Sequence, residues 1–256
     1  MASTPTYPWI TCPRPNPRAR LRLFAVPYAG SGASVFRSWL EKLPPDVELR
    51  PVQLPGRENR LMEPPLSHVS TVVGPLAPLC ASLADLPFAV FGHSMGALVA
   101  FELVRELRRQ SGLLPMHLFV AAHRAPQAPN PEALMYDLPD EEFIAEVCRR
   151  YDSIPVEVRE NTELMDLMLP ALRADISICD TYAHREEEAL ACPVTAFGGL
   201  EDPCAPPEQL EGWRHQTSGA FRRVMFPGGH FFLQASQGPL LDEMARDLAR
   251  GGGGGR

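Results

Sequence analysis

A serine, an aspartate and a histidine, at positions 94, 202 and 230, are the side chains of this sequence best suited to chemistry. Ser94 lies in the pattern Gly-x-Ser-x-Gly, between Gly92 and Gly96. A serine hydroxyl is a weak nucleophile at neutral pH, so it needs a base such as His230, and that base needs an orienting carboxylate such as Asp202. These residue types predict acyl transfer through a covalent intermediate on Ser94.

The sequence around Ser94 predicts a sharp turn from a strand into a helix. Residues 88–91 are apolar and typical of a buried strand, and a second apolar segment begins at Ala97. In such an elbow, Gly92 and Gly96 avoid the collisions that a Cβ would make, and the hydroxyl stands at the N-terminus of the helix. The alternative is an ordinary serine N-cap, because the pattern also arises by chance. The flanking strand and helix favour a nucleophile.

Backbone N–H groups near Ser94 are expected to form an oxyanion hole. Met95 follows the nucleophile at the start of the predicted helix, where N–H groups have no partner within the helix. The second expected donor is Ala29, in the small-residue loop 27–32 after the first predicted strand. An ordinary glycine turn is the alternative interpretation of that loop.

His230 is the expected base because it follows a glycine-rich exit, residues 227–229, from the last predicted strand. His93 is too close to Ser94 in sequence to turn back onto it. The other histidines lack such a strand exit: His68, His117, His123, His184 and His215.

Asp202 is the expected acid because it also follows the carboxyl end of a late predicted strand. Its neighbour Glu201 is the main alternative, whereas Asp175 and Asp180 fall in a helical block. The chain order serine, aspartate, histidine is the order found in α/β-hydrolases.

The elements that must position these residues alternate between strand and helix. Strands are predicted over 21–26, 47–54, 88–91, 116–122, 193–197 and 221–226. Helices are predicted over 35–43, 69–84, 97–109, 209–215 and 231–249, with Pro75 and Pro78 interrupting the second. This alternation predicts an α/β fold with a mostly parallel central sheet and helices on both faces. Pro51 indicates an edge or an irregular position in its strand.

Residues 126–190 interrupt the alternation and predict an inserted helical lid above the carboxyl ends of the strands. A helix start is expected near Asp137, and a longer helix over 161–184 is expected to bend or break at Pro170. Three methionines and the leucines of this block could line an acyl chamber, with ordinary packing inside the lid as the alternative for each; the methionines are Met135, Met165 and Met168.

A charged turn, residues 55–60, follows the second predicted strand. We interpret Arg57, Glu58 and Arg60 as surface residues or as an ion pair that fixes the loop. A direct catalytic role is the alternative.

The length of 256 residues, 45% of them hydrophobic, suits a single domain over residues 19–250. Five prolines within the first 17 residues predict an extended arm over 1–18. The glycine-rich end, 251–256, is expected to be a disordered tail.

Charge and hydropathy exclude several classes of function. The net charge of −7 offers no electrostatic footprint for nucleic acid. Because the sequence contains no membrane-length apolar run and no signal-peptide pattern, a cytoplasmic location is expected. The six cysteines form no C-x-x-C pair, which favours reduced thiols over disulfides or a zinc site, so no metal is expected.

Over about residues 9–248, the sequence resembles the stand-alone type II thioesterases of polyketide and nonribosomal peptide synthesis, which are α/β-hydrolases. The resemblance rests on these segments: P-Y-A-G-S-G (27–32), Q-L-P-G-R-E-N-R (53–60), G-H-S-M-G (92–96), L-R-A-D (172–175) and G-G-H-F-F-L (228–233).

The resemblance implies an editing thioesterase that hydrolyses short or aberrant acyl groups from the phosphopantetheine arm of an acyl or peptidyl carrier protein. The triad of Ser94, Asp202 and His230 matches the family, as do the Ala29 and Met95 amides. No cofactor is expected beyond the arm of the carrier protein, which is the expected partner, and the enzyme is expected to be a monomer.

Two segments depart from the family pattern. Residues 151–155 replace a Gly-Gly-x-Pro turn that relatives often carry in the lid, and Ser31 stands within a loop that is commonly Gly-Gly-Gly or Gly-Gly-Ser. Both leave the acyl preference open. The alternative functions are a chain-releasing or cyclising thioesterase, a general serine esterase and, from another class, an inactive hydrolase-fold binding module.

Overall fold

Six parallel strands form the central sheet of the computed structural model, which describes residues 9–151 and 154–251. The strands are β1 Leu21–Val26, β2 Val47–Pro51, β3 Phe88–His93, β4 His117–Ala121, β5 Val194–Gly199 and β6 Phe221–Phe226. Their order across the sheet is β2-β1-β3-β4-β5-β6, and all five pairings are parallel. The predicted α/β fold is confirmed. Three predictions lie partly outside the described residues. They are the extended arm at residues 1–8, the departure from the family pattern at residues 152–153 and the tail at residues 252–256.

The burial of each strand follows from its place in the sheet. The central strands β3, β4 and β5 are buried along their whole length, which explains their continuous apolar sequence. β2 and β6 lie at the two edges. Pro51 ends β2, so the predicted edge position of this proline is confirmed.

Residues 9–11 of the arm lie antiparallel to the chain just beyond β2. Ile10 forms an isolated bridge with Val52, and the Thr11 amide donates to the Pro51 carbonyl at 2.8 Å. The Arg60 guanidinium lies 4.4 Å from the centre of the Trp9 ring. The described part of the arm is therefore attached to the outer edge of the sheet.

Helices cover both faces of the sheet. The α-helices are α1 Val69–Ser82, α2 Met95–Ser111, α3 Asp140–Tyr151, α4 Val156–Arg159, α5 Thr162–Asp180, α6 Pro207–Glu211, α7 Phe232–Ala235 and α8 Gln237–Gly251. Three further segments are 3₁₀ helices: Ala33–Glu41, Glu58–Arg60 and Gly212–Gln216.

Several helix predictions need correction. The expected breaks at Pro75, Pro78 and Pro170 are wrong, because α1 and α5 continue through these prolines. One buried face of α1 packs against α2, and burial of such a face can offset the backbone hydrogen bonds that proline removes. The helix predicted over 35–43 is a 3₁₀ helix, and the closing helix is divided at Ser236.

Between β4 and β5 the described residues contain helices α3, α4 and α5 and no strand of the sheet. We call residues 126–190 the helical insertion. It has an apolar cluster of its own, formed by Met135, Phe143, Val147, Leu172 and Ile176. The helical insertion is thus a packed unit. No helix within the two described ranges combines the length and apolarity that crossing a bilayer requires.

The strand-to-helix turn after β3 has no room for side chains at its two glycines. A Cβ on Gly92 would lie 1.9 Å from the Gly96 carbonyl oxygen, and a Cβ on Gly96 would lie 2.4 Å from the Val26 carbonyl oxygen. These contacts are with backbone, so no side-chain rotation can relieve them. The turn therefore requires glycine at both positions.

We expect Gly92→Ala to lower the free energy of unfolding by more than about 3 kcal/mol, or to prevent folding, because the backbone of the turn must move. Urea denaturation followed by circular dichroism measures this change. Gly74→Ala is the matched control, since nothing but its chain neighbours and the adjacent backbone of α1 lies within 4 Å of its Cβ position. It should stabilise the protein by about 0.5–1 kcal/mol. Equal stability of the two variants would contradict the steric account.

Candidate active site

Ser94 occupies the strained turn between β3 and α2. Its φ of 55° and ψ of −123° lie in a region that non-glycine residues rarely adopt. Its hydroxyl makes no capping bond to the first turn of α2. Ser94 is therefore not an ordinary N-cap of α2.

The three chemically suited side chains lie in one hydrogen-bonded chain. Ser94 Oγ is 2.9 Å from His230 Nε2, and His230 Nδ1 is 2.9 Å from Asp202 Oδ2. Because an ionised carboxylate only accepts hydrogen bonds, the Nδ1 proton points to Asp202 and Nε2 is left to accept from Ser94. This arrangement can remove a proton from the serine hydroxyl.

Asp202 is fixed in place by its second oxygen. The Cys204 amide donates to Asp202 Oδ1 at 2.9 Å, and the Asp202 side chain is fully buried. The alternative acids are engaged elsewhere or exposed. Glu201 is exposed, and Asp180 accepts from the amides of residues 135 and 136 in the helical insertion. Asp175 contacts the loop after β1.

Aromatic rings surround the imidazole of His230. The nearest ring centres belong to Tyr151 at 4.8 Å, Phe231 at 5.2 Å and His93 at 5.5 Å. Burial, with a further contribution from His230, holds the pKa of His93 well below its usual value, so this imidazole is neutral at pH 7. Neither His93 nitrogen has a hydrogen-bond partner among the described residues. His93 therefore packs as an aromatic ring.

Two cavities meet at Ser94 and His230. The apolar cavity is lined by Tyr28, Ala29, Met95, Val147, Leu172, Ile176 and Phe231. The polar cavity is lined by His123, Arg124, Asn130, Glu132, Arg150, Asp180 and Cys204. Tyr151 and Cys179 line both and so stand between them.

The residues that line these cavities do not include the three methionines of the sequence prediction. Met135 and Met165 are buried within the helical insertion, and Met168 is partly exposed. Of the two aliphatic α5 residues that do line the apolar cavity, the sequence prediction covered Leu172 only as one of the leucines of this block, and it missed Ile176. Their spacing of four places them on one face of α5, and that spacing was the available signal.

The two expected oxyanion donors line the apolar cavity beside Ser94. Among the described residues, the amides of Ala29 and Met95 donate to no other protein group. Both are therefore available to a negatively charged oxygen. Their separation along the chain is bridged by the pairing of β1 with β3.

Asp202, Cys204 and His230 could also be considered as metal ligands, since their ligand atoms lie within 4.8 Å of one another. The carboxylate and the imidazole are already bonded to each other, however. The Cys204 thiol donates to the Arg150 carbonyl oxygen at 3.4 Å. We therefore interpret these groups as a hydrogen-bonded site and not as a metal centre.

The chain is similar to proteins of known class along most of its length. A family model described as "Thioesterase domain" matches residues 21–250. The chain is 43% identical over 240 residues to the gramicidin S biosynthesis protein GrsT of Aneurinibacillus migulanus, covering 94% of this chain and 93% of that protein. It is 41% identical over 244 residues to thioesterase PikA5 of Streptomyces venezuelae, covering 94% and 85%.

Among solved structures, the type II thioesterase BorB from the borrelidin biosynthetic cluster is similar in fold and sequence. The TM-score is 0.87 at 34% identity, and the match covers 96% of this chain and 100% of that chain. The resemblance stated from the sequence motifs is confirmed.

We expect the two thiols of the polar cavity to resist alkylation in the folded protein. Burial raises the pKa of both Cys179 and Cys204 to about 12, so the reactive thiolate is scarce at pH 7.5. Treatment with iodoacetamide, followed by peptide mass spectrometry, should leave both unmodified, whereas unfolded protein should be modified at all six cysteines. Rapid alkylation of Cys204 in folded protein would contradict the raised pKa of this buried thiol.

Proposed function

This chain belongs to the thioesterase family, and we propose that it is an editing enzyme that hydrolyses short or aberrant acyl groups from the phosphopantetheine arm of carrier proteins. The observation that carries the proposal is the hydrogen-bonded chain from Ser94 through His230 to Asp202, which opens onto an apolar cavity. The relatives named for gramicidin S biosynthesis and for the borrelidin cluster support carrier proteins of peptide or polyketide synthases as partners.

The first half of the reaction transfers the acyl group to the enzyme. Ser94 Oγ attacks the thioester carbonyl carbon while His230 Nε2 takes the hydroxyl proton. The carbon–sulfur bond then breaks, and His230 returns the proton to the departing pantetheine thiol. The products are an acyl ester on Ser94 and a free carrier arm.

The second half repeats these steps with water. His230 accepts a proton from a water molecule as its oxygen attacks the ester carbonyl. Collapse of the tetrahedral intermediate breaks the bond to Ser94 and returns the proton to its oxygen, which releases a carboxylic acid. Asp202 stabilises the imidazolium that forms in each half and keeps the imidazole in the required tautomer.

The amides of Ala29 and Met95 would bind the oxygen that becomes negative in both tetrahedral intermediates. Such donors act most strongly in the transition state because the charge develops only there. A thioester has little resonance stabilisation and a good leaving group. Modest activation of Ser94 is thus enough, and selectivity can reside in the cavities.

We expect the helical insertion to act as a lid that forms the acyl chamber. Its residues Val147, Leu172 and Ile176 line the apolar cavity, which suits an acyl group. The polar cavity suits the amide-bearing pantetheine arm on the other side of Ser94. We expect the enzyme to act as a monomer without a further cofactor.

We expect Ser94→Ala to abolish release of acetyl and propionyl groups from holo carrier protein, because it removes the hydroxyl that is hydrogen-bonded to His230 Nε2. Mass spectrometry of the carrier before and after incubation measures the release. Ser82→Ala, at the exposed end of α1, is the matched control and should retain full activity.

The same assay tests carrier recognition. Wild-type enzyme should release the acyl group from the carrier faster than from an acylated small thiol. Equal rates on both substrates would count against carrier recognition, and turnover by Ser94→Ala would contradict the mechanism.

We expect Asp202→Asn to lower kcat by about 10³–10⁴-fold with little change in KM, because the amide would favour the wrong imidazole tautomer. The neighbouring substitution Glu201→Gln should change kcat less than about twofold, since this carboxylate is exposed. Steady-state hydrolysis of a soluble acyl thioester measures both. A larger loss in Glu201→Gln than in Asp202→Asn would reverse the assignment of the acid.

A further inference from the structure

A carboxylate of the helical insertion binds the loop that carries Ala29. Asp175, on α5, has no exposed surface, and its Oδ2 accepts from the Gly30 amide at 2.8 Å. The two residues are 145 positions apart in the sequence. This contact joins the helical insertion to the loop after β1.

The guanidinium of Arg57 holds this carboxylate from the opposite side. Its Nη2 donates to Asp175 Oδ1 at 2.9 Å, and its Nη1 contacts Asp175 Oδ2. The same guanidinium donates to the carbonyl oxygens of Ser31 at 3.3 Å and Pro55 at 3.1 Å. Arg57 is itself buried, so it connects three chain segments away from solvent.

The backbone of the loop after β1 leaves little conformational freedom at Gly30. Gly30 has a φ of +76°, which disfavours any other residue. A Cβ on Gly30 would lie 3.1 Å from Leu172 Cδ1 of α5. The helix therefore lies directly against Gly30, one residue from Ala29, which lines the apolar cavity.

Other bonds hold the rest of this loop without involving the helical insertion. Ser31 Oγ donates to the Tyr28 carbonyl oxygen at 2.6 Å, and the Ala33 amide donates to Gln53 Oε1 at 2.8 Å. Among the hydrogen bonds of the described residues, Asp175 is the contact that fixes the loop to α5 at Gly30.

Stability alone is a weak reason for such an ion pair. Burial raises the pKa of Asp175, and the Arg57 guanidinium and the Gly30 amide act in the opposite direction. Apolar residues of similar volume often replace buried ion pairs without loss of stability. A charged pair at this place therefore indicates that the loop after β1 must be held in a particular orientation.

We propose that Asp175, held by Arg57, is a positioning residue that aims the Ala29 amide at the oxyanion. The inference rests on the proposed function, since the role of Ala29 is part of it. The oxyanion hole is then complete only while α5 lies against the loop. Displacement of the helical insertion would remove the anchor of Gly30 and slow the chemistry at Ser94.

The test compares the single variant Asp175→Asn with the double variant Arg57→Met, Asp175→Leu. The single variant leaves a buried guanidinium without its counter-charge, so we expect it to lower Tm by roughly 5–15 °C. The double variant removes both charges and should regain much of that loss. Neither variant anchors the Gly30 amide to a carboxylate, so both should remain slow.

The rate is measured in two ways that need no carrier protein. We expect kcat on a soluble acyl thioester to fall roughly 10–100-fold with KM unchanged, because the oxyanion forms only after binding. We expect the rate at which a fluorophosphonate probe labels Ser94 to fall in parallel, since its phosphoryl oxygen uses the same hole.

Asp247→Asn is the matched control. Asp247 is a buried carboxylate of α8 that accepts from Thr195 Oγ1 at 2.8 Å and pairs with Arg222, both near the amino ends of their strands. It should lower Tm but leave the labelling rate of folded protein unchanged. This control separates loss of stability from loss of positioning.

Recovery of the labelling rate together with Tm in the double variant would overturn the proposal, because the pair would then be only structural. A rate equal to that of the wild type in Asp175→Asn would also overturn it. If the double variant does not fold, Asp175→Asn is compared with Asp247→Asn below the Tm of both, and equal labelling rates overturn the proposal. A wild-type enzyme that labels normally but releases nothing from carrier proteins would refute the proposed function instead.

Discussion

The site depends on a steric constraint at the turn between β3 and α2. Backbone atoms lie so close to Gly92 and Gly96 that a Cβ at either position would collide with them. Because both residues lack a Cβ, the chain can turn sharply enough to hold Ser94 at a positive φ. That conformation turns the hydroxyl toward His230 and away from the helix cap. The strain is maintained by the surrounding parallel strands: β3 and β4 are buried along their whole length, and β1 is buried at every residue except Arg22.

The parallel sheet explains how residues distant in sequence meet at this turn. The carboxyl ends of parallel strands lie at one edge of the sheet, so the loops after β1, β3, β5 and β6 converge there. They bring Ala29, Ser94, Asp202 and His230 together. The helical insertion covers the same edge, and its α5 supplies both apolar lining and the buried Asp175.

Local motifs allowed much of this arrangement to be predicted from the sequence. Gly-x-Ser-x-Gly and the glycine-rich strand exits carry their own backbone geometry, so Ser94, Asp202 and His230 could be identified individually. The continuity of α1 and α5 through their prolines could not be predicted, because it depends on packing against other elements.

The predicted acyl lining named three methionines and the leucines of the helical block, whereas the aliphatic side chains of α5 that line the apolar cavity are Leu172 and Ile176. The rotation of α5 decides which of its side chains face the cavity, and the sequence does not give that rotation. The bond from Asp175 to Gly30 was equally hidden, because a sequence does not tell which distant amide a buried carboxylate meets.

The arm at the end of β2 also affects how the sheet edge can interact with other protein molecules. An open sheet edge presents unpaired amides and carbonyls that can recruit a strand from another molecule. Residues 9–11 occupy part of that edge, and Pro51 offers no N–H there. The arm and Pro51 thus protect the β2 edge of the enzyme against intermolecular strand addition and aggregation.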